Sequence, residues 1–275
     1  MNDLSHPFRA AVTRVLRSRL TVRRGRFETI TGFSSGLLAN ERRVTVYLPP
    51  GYEEKPDRRY PVLYMQDGQN LFDRTRSFAG EAWRLGAAAD AAIGARSMRP
   101  IVIVGVDHAG SDRMQEYTPV RDASKDGGGR GDDYGAMLLF ELKPVIDARY
   151  RTLAEDTSVG GSSLGGLISL HLALAHPDRI RRALVMSPSV WWAGRAILGS
   201  VDALPPGERP RVWLDVGGRE GRQAIADARQ LRDRMLLNGW TPSNFRFFED
   251  RRGDHSERAW AGRVRRALEF LFPPE

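Results

Sequence analysis

The chain has 275 residues, of which 41% are hydrophobic and 28% are charged, and its formal net charge is +8. This composition is that of a folded globular protein, and the length suits a single α/β domain. The absence of cysteine excludes disulfides, thiolate metal sites and cysteine nucleophiles. Five histidines without metal-ligand spacing argue against a histidine metal centre. No apolar run reaches the length of a membrane span, and we expect a cytoplasmic protein.

Most of the positive charge lies at the N-terminus. Residues 1–26 contain seven arginines and a single acidic residue, Asp3, so a general nucleic-acid-binding surface is not expected. Apolar residues spaced three and four apart between Phe8 and Leu20 predict a short amphipathic helix. Its apolar stripe would dock on the domain itself or on a second subunit, because so short a helix is marginal in water. The stripe lacks tryptophan, which makes an anionic membrane the less favoured alternative.

From residue 27 the pattern becomes that of an α/β protein. Apolar and polar residues alternate over 26–31 and again over 43–48, and the second segment ends at a pair of prolines. This pattern predicts an antiparallel hairpin at a sheet edge. Unbroken apolar runs predict parallel strands covered on both faces, at 60–65, 101–106, 183–186 and 212–216. Helical segments are predicted between and after them, at 81–95, 134–150, 164–176, 224–238 and 257–272. The alternation predicts one doubly wound α/β domain over residues 27–275, after a basic segment over residues 1–26.

A nucleophile elbow is indicated by the pattern G-x-S-x-G at Gly161, Ser163 and Gly165. A serine on a tight turn between strand and helix has a strained backbone, and glycine two positions away on either side avoids collisions. Ser162 is the rival nucleophile, but only Ser163 has glycine at both places. The backbone N–H of Leu164, at the start of the following helix, would face developing negative charge. A glycine-rich turn without chemistry is the alternative interpretation.

A base and an acid are expected downstream of the serine. A serine hydroxyl is a weak nucleophile unless a base takes its proton, and α/β-hydrolases place serine, acid and histidine in that chain order. Only His255 follows far enough along the chain, just before the last predicted helix. Glu220 lies in the loop directly after the strand over 212–216 and is the favoured orienting acid. Asp215, inside that strand, and the absence of an essential acid are the alternatives.

The second donor to an oxyanion is expected in the loop after the strand over 60–65. Gly68 permits a close approach of this loop, so the backbone N–H of Gln69 is the natural donor. The backbone of Gly68 and that of Asn70 are near alternatives. An ordinary hydrophilic turn is the remaining interpretation of this segment.

Residues that could select the substrate follow two other strand ends, where ligands of open α/β sheets bind. We expect His108 and one of the neighbouring Trp191 and Trp192 to line the mouth of the pocket. Such a lining would favour an ester that bears an aromatic group or a sugar. The alternative is that both tryptophans belong to the core.

Four stretches of this chain resemble the enterochelin esterase family: 48–52, 60–73, the elbow at 161–166, and 186–192. The similarity runs from about residue 27 to the C-terminus. It implies an α/β-hydrolase fold and serine hydrolase chemistry without a metal or organic cofactor. By this resemblance the nucleophile is Ser163, the base is His255 and the oxyanion loop is Gly68-Gln69. The acid does not transfer as directly, because members of the family differ there.

We therefore predict a serine esterase that hydrolyses a small-molecule carboxylic ester through an acyl-enzyme on Ser163. The family implies siderophore, feruloyl, acetyl-sugar or simple esters as candidate substrates. A dedicated siderophore role is not expected, because only about 26 residues precede the hydrolase part, whereas the longest siderophore esterases carry a separate N-terminal domain. The alternatives are an acyltransferase that uses the same site and a non-catalytic binding protein on a hydrolase scaffold.

Overall fold

The computed structural model describes residues 23–207 and 209–275. The amphipathic helix predicted between Phe8 and Leu20 lies outside the described residues. The strands, in chain order, are β1 Arg26–Ser35, β2 Asn40–Leu48, β3 Tyr60–Gln66, β4 Val102–Val106, β5 Arg121–Asp122, β6 Gly127–Gly128, β7 Thr152–Ser162, β8 Ile180–Met186, β9 Arg211–Gly217 and β10 Phe245–Asp250. The two short strands β5 and β6 pair only with each other, and the remaining eight form the central sheet.

The central sheet is mixed, and its order is β1-β2-β4-β3-β7-β8-β9-β10. The pairs β1–β2 and β2–β4 are antiparallel, and the pairs from β4–β3 to β9–β10 are parallel. This topology confirms the predicted antiparallel N-terminal edge on a mostly parallel sheet. Every residue of β3 and β4 is buried, as expected for apolar strands that are covered on both faces.

Helices cover both faces of the sheet. Their bounds are α1 Leu85–Gly94, α2 Arg113–Glu116, α3 Gly131–Ala136, α4 Lys143–Arg149, α5 Leu164–Ala175, α6 Trp192–Asp202, α7 Arg222–Leu237 and α8 Glu257–Leu271. One core cluster joins the sheet to α1 and α8, and a second joins it to α4, α5, α6 and α7. Within residues 23–207 and 209–275, no helix is long and apolar enough to cross a membrane.

Two predicted helices differ from the observed ones. The helix predicted over 81–95 begins only at Leu85, because Arg84 has a left-handed backbone with φ 53°, which a right-handed helix cannot include. The helix predicted over 134–150 begins earlier, at Gly131, and contains π-helical turns over Met137–Leu142 that join α3 to α4. Neither difference moves a predicted site residue, since the loops after β3, β7 and β9 remain at the carboxyl ends of the parallel strands.

The second strand of the sheet, β2, is tied to α2 by a buried ion pair. Arg42 and Glu116 lie 3.0 Å apart, and both side chains are fully buried. Breaking a buried pair by removing one partner costs about 3–5 kcal/mol, because the other charge is left without compensation.

We expect Glu116→Ala to lower the free energy of unfolding by that amount in urea denaturation. The exposed pair Arg121–Asp126 gives a matched control, and Asp126→Ala should cost at most about 1 kcal/mol. Equal effects of the two variants would contradict the prediction.

Candidate active site

Ser163 lies on the tight turn between β7 and α5. Its backbone has φ 57° and ψ −124°, a combination that costs a non-glycine residue free energy. A Cβ atom at Gly161 would lie 2.7 Å from the carbonyl carbon of Gly165, and a Cβ at Gly165 would lie 3.1 Å from Cβ of Gln66. These approaches explain why both flanking positions are glycine. The turn has the strand–turn–helix context that the G-x-S-x-G pattern predicts.

His255 and Glu220, the predicted base and acid, are hydrogen bonded to each other. His255 Nδ1 lies 2.8 Å from Glu220 Oε2, and the glutamate side chain is only 2% exposed. The other oxygen, Oε1, accepts hydrogen bonds from the hydroxyl of Ser187 at 2.5 Å and from the N–H of Gly217 at 2.7 Å. Burial opposes ionisation, but the hydrogen bonds from His255, Ser187 and Gly217 outweigh it and lower the pKa of Glu220 below its ordinary value. Glu220 is therefore a carboxylate at neutral pH.

Asp215, the alternative acid, lies deeper in the protein. Its carboxylate is fully buried and accepts hydrogen bonds from Trp213 Nε1 at 2.8 Å and from Arg263 Nη2 at 3.0 Å. Burial raises the pKa of Asp215, although the charge of Arg263 opposes the rise. The partners of this carboxylate are thus core side chains, whereas Glu220 is hydrogen bonded to His255.

Ser163 and His255 line one cavity of about 310 Å³. Its other lining residues are Asp67, Gln69, Asn70, Phe78, His108, Arg113, Ser162, Glu257 and Trp260. The ring of His255 packs edge-on against Trp260, with 5.0 Å between the ring centroids. A larger groove of about 700 Å³ between α1 and α8 contains none of the predicted site residues. The smaller cavity is therefore the candidate active site.

The loop after β3 forms one wall of the cavity. Asp67 has a left-handed backbone, and the next residues form a short 3₁₀ turn over Gly68–Asn70. The N–H of Asn70 donates to the carbonyl of Asp67 at 2.9 Å, so it is used within the turn. A Cβ at Gly68 would lie 2.6 Å from the carbonyl carbon of Gly105, which explains the glycine. Among the three predicted positions, Asn70 is thus the least suited to donate its backbone N–H to an oxyanion, and Gln69 and Gly68 remain as candidates beside Leu164.

The predicted pocket-mouth residues lie in three different environments. His108 lines the cavity, and its Nδ1 accepts a hydrogen bond from the N–H of Gly110 at 2.9 Å. In the neutral ring the proton is therefore on Nε2. Trp192 is 2% exposed, and its indole N–H donates to the carbonyl of Val120 at 2.8 Å, which makes it a core residue. Trp191 is 46% exposed but lies outside the residues that line the cavity.

Charged residues that were not predicted from the sequence also line the cavity. Arg113 donates two hydrogen bonds to Asp67, at 2.7 and 2.8 Å, so the one arginine of the cavity is neutralised by a carboxylate. Burial raises the pKa of Glu257, and the nearby charge of Asp67 adds to the effect. Glu257 could have been inferred from its place two residues after His255. No signal in the sequence pointed to Arg113.

No group of three or more histidine, aspartate or glutamate side chains, among the residues that the structure describes, could hold a metal ion.

Comparisons with known proteins bear on the family and the fold of the chain. The family model described as "Putative esterase" matches residues 35–271. The chain is 27% identical over 248 residues to "Uncharacterized protein YbbA" of Bacillus subtilis, covering 85% of this chain and 94% of that protein. It is 26% identical to "Iron(III) salmochelin esterase" of Escherichia coli, covering 76% of this chain and 52% of that protein. The crystal structure of BES protein from Bacillus cereus has a TM-score of 0.74 at 23% identity and covers 98% of this chain and 99% of that one.

The sheet topology and the family match together define a serine hydrolase of the carboxylic ester hydrolase type on an α/β-hydrolase fold. This class confirms the α/β-hydrolase fold and the assignment to the serine hydrolases that the resemblance implies. The chain belongs to the esterase family whose model matches it over residues 35–271.

The strain at Ser163 can be measured directly. Because φ is 57° and ψ is −124°, glycine fits this position better than any residue with a side chain. We expect Ser163→Gly to be more stable than Ser163→Ala by about 1 kcal/mol, the strain being partly offset by the entropy of glycine in the unfolded chain. Thermal and urea unfolding of the two variants provide the measurement. A glycine variant less stable than the alanine variant would show that the turn is unstrained.

Proposed function

We propose that the protein hydrolyses a carboxylic ester through an acyl-enzyme on Ser163, with His255 as the base and Glu220 as the orienting acid. The single observation that carries the proposal is the His255–Glu220 hydrogen bond of 2.8 Å at the wall of the cavity that Ser163 also lines. Because Glu220 occupies Nδ1, the other ring nitrogen, Nε2, is left to exchange a proton with the serine.

The reaction has two halves. His255 Nε2 takes the proton of Ser163 as Oγ forms a bond to the acyl carbon, and the carbonyl oxygen becomes an oxyanion. The N–H groups of Leu164 and Gln69 stabilise this negative charge. The bond to the alcohol breaks as His255 returns the proton to the leaving oxygen. A water then attacks the acyl-enzyme, His255 takes its proton, and the acid is released as Ser163 recovers its own.

The substrate is a small-molecule ester, a proposal that draws on the relatives. One similar protein is named an iron(III) salmochelin esterase and another a siderophore triacetylfusarinine C esterase, and the chain covers 52% and 55% of them. A cavity of about 310 Å³ accommodates the reacting part of such a molecule. Its lining, with His108, Asn70 and Glu257, offers hydrogen bonds to polar groups beside the ester.

The nucleophile is tested by labelling and by deletion of its hydroxyl. An organophosphonate should label Ser163 and no other serine, as located by peptide mass spectrometry. Ser163→Ala should lower kcat by several orders of magnitude, because serine, histidine and acid act as a unit. The control is Ser158→Ala, which removes a buried serine on β7 whose hydroxyl has no hydrogen-bond partner within the described part of the chain. Label on another serine, or activity retained without Oγ of Ser163, would contradict the proposal.

The acid is tested by the pH dependence of hydrolysis. The pKa of Glu220 is held below its ordinary value, so this carboxylate stays ionised as the pH falls and protonation of His255 alone ends activity. The decrease of kcat/KM at low pH should therefore fit the uptake of a single proton. Glu220→Gln should lower kcat by about 10³- to 10⁴-fold, because the ring loses both its orientation and the charge that stabilises the imidazolium.

The neighbouring carboxylate of Asp254 supplies the control for this substitution. Its pKa is lowered by a hydrogen bond from Ser256, and its side chain is 45% exposed. Asp254→Asn should retain kcat within about two-fold, since surface substitutions away from a network have small effects. If Asp254→Asn and Glu220→Gln lowered kcat equally, Glu220 would not be the orienting acid.

A further inference from the structure

A short segment at the end of β8, Met186–Ser189, contacts two residues of the proposed triad, Ser163 and Glu220. The carbonyl oxygen of Met186 accepts a hydrogen bond from the N–H of Ser163 at 3.1 Å. The last residue of the segment, Ser189, donates its own N–H to the carbonyl of Ser163 at 3.1 Å, and the two serine hydroxyls lie 3.3 Å apart. Between them, the hydroxyl of Ser187 donates to Glu220. The strand end therefore connects the elbow to the acid.

The hydroxyl of Ser187 is fully occupied, and its direction is fixed. Trp260 Nε1 donates to Oγ at 3.0 Å, and Arg263 Nη2 donates to it at 2.9 Å. A serine hydroxyl has two lone pairs and one proton, and indole and guanidinium N–H groups can only donate. Both lone pairs are thus used, and the proton can only point to Glu220 Oε1, at 2.5 Å.

The two donors come from α8, the helix that follows His255. The ring of Trp260 also packs against that of His255, and Arg263 is 2% exposed and bound to Asp215. The ring of His255, in the loop just before α8, is therefore packed against the helix that carries both donors to Ser187.

The backbone at Ser187 supports a role other than packing. Its φ is 42°, a left-handed value that is uncommon for residues other than glycine, and its N–H donates to the carbonyl of Asp215 at 2.9 Å. Strained residues of this kind persist at functional sites because the surrounding structure over-determines them. Glycine would fit the backbone without strain, so a serine here retains its hydroxyl at a conformational cost.

We propose that Ser187 is a positioning residue, whose hydroxyl holds the carboxylate of Glu220 in the orientation and charge state that His255 requires. With Ser187 and Gly217 bound to Oε1, only Oε2 remains for the imidazole. The inference rests on the proposed function, because it assigns Ser187 a part in that reaction through Glu220 and not through the substrate.

The test removes the hydroxyl in two ways that differ in their effect on the fold. Ser187→Ala keeps the strained backbone, whereas Ser187→Gly relieves it, so the glycine variant guards against simple unfolding. Both variants should lower kcat by roughly ten- to hundred-fold, because each removes one hydrogen bond to a charged group. KM should change little. Without this donor the carboxylate of Glu220 becomes more basic, so the Glu220–His255 pair binds a proton more readily. The decrease of kcat/KM on the acid side should therefore occur at higher pH. Ser187→Cys, which restores a weak donor, should recover part of kcat.

Ser35 provides a matched control far from the cavity. Its hydroxyl is buried and donates to the carboxylate of Glu141 at 2.6 Å, the same type of hydrogen bond. Ser35→Ala should change stability but leave kcat and the pH profile as in the unchanged protein. Folded Ser187→Ala and Ser187→Gly variants with kcat and pH profile equal to those of Ser35→Ala would overturn the inference, as would a loss confined to KM. Ser163→Ala is assayed beside these variants. Activity retained in Ser163→Ala would contradict the proposed function itself, and with it the role of Ser187.

Discussion

The arrangement of the site depends on one hydrogen bond, between the buried carboxylate of Glu220 and the ring of His255. A carboxylate that is 2% exposed is costly to ionise unless donors replace the lost water. Here the ring, a serine hydroxyl and a backbone N–H supply those donors. Each donor comes from a different segment: the loop before α8, the end of β8 and the end of β9. The charge of Glu220 therefore sets the relative positions of these segments.

The parallel half of the sheet explains how these segments meet. The strands β3, β7, β8 and β9 are adjacent and parallel, so their carboxyl ends form one edge from which the loops of the site emerge. Close backbone approaches at Gly68 and Gly161 bring the oxyanion loop and the elbow against neighbouring backbone. The antiparallel strands β1 and β2 extend the sheet on the side of β4 and carry none of the predicted catalytic residues.

The sequence predicts those parts of the site that follow from local sterics or chain order. The glycines around Ser163 are a local steric requirement, and the places of Glu220 and His255 follow from the order of strands and loops. Ser187 and Arg263 could not be found in this way, because their hydrogen bonds join residues 33 to 76 positions apart. The left-handed backbone of Ser187 is likewise invisible in a sequence that has no glycine there.

The two neighbouring tryptophans also show what a sequence pattern cannot predict. Trp191 and Trp192 are adjacent and chemically identical, yet one is 46% exposed and the other is 2% exposed. Backbone turns with φ between 46° and 68° over Ala193–Arg195 follow them, and such turns change side-chain direction in a way that periodicity does not capture. Only tertiary packing decides which of two equal neighbours enters the core.

The proposed covalent intermediate is the central claim, and it can be observed directly. A slowly deacylated p-nitrophenyl ester, mixed with the protein and quenched in acid within the first turnover, should leave one acyl group per chain by intact mass. Peptide mapping should place that group on Ser163, and the Ser163→Ala variant should carry none. Turnover of the ester without any acyl adduct on the quenched protein, or an adduct on another residue, would contradict the mechanism.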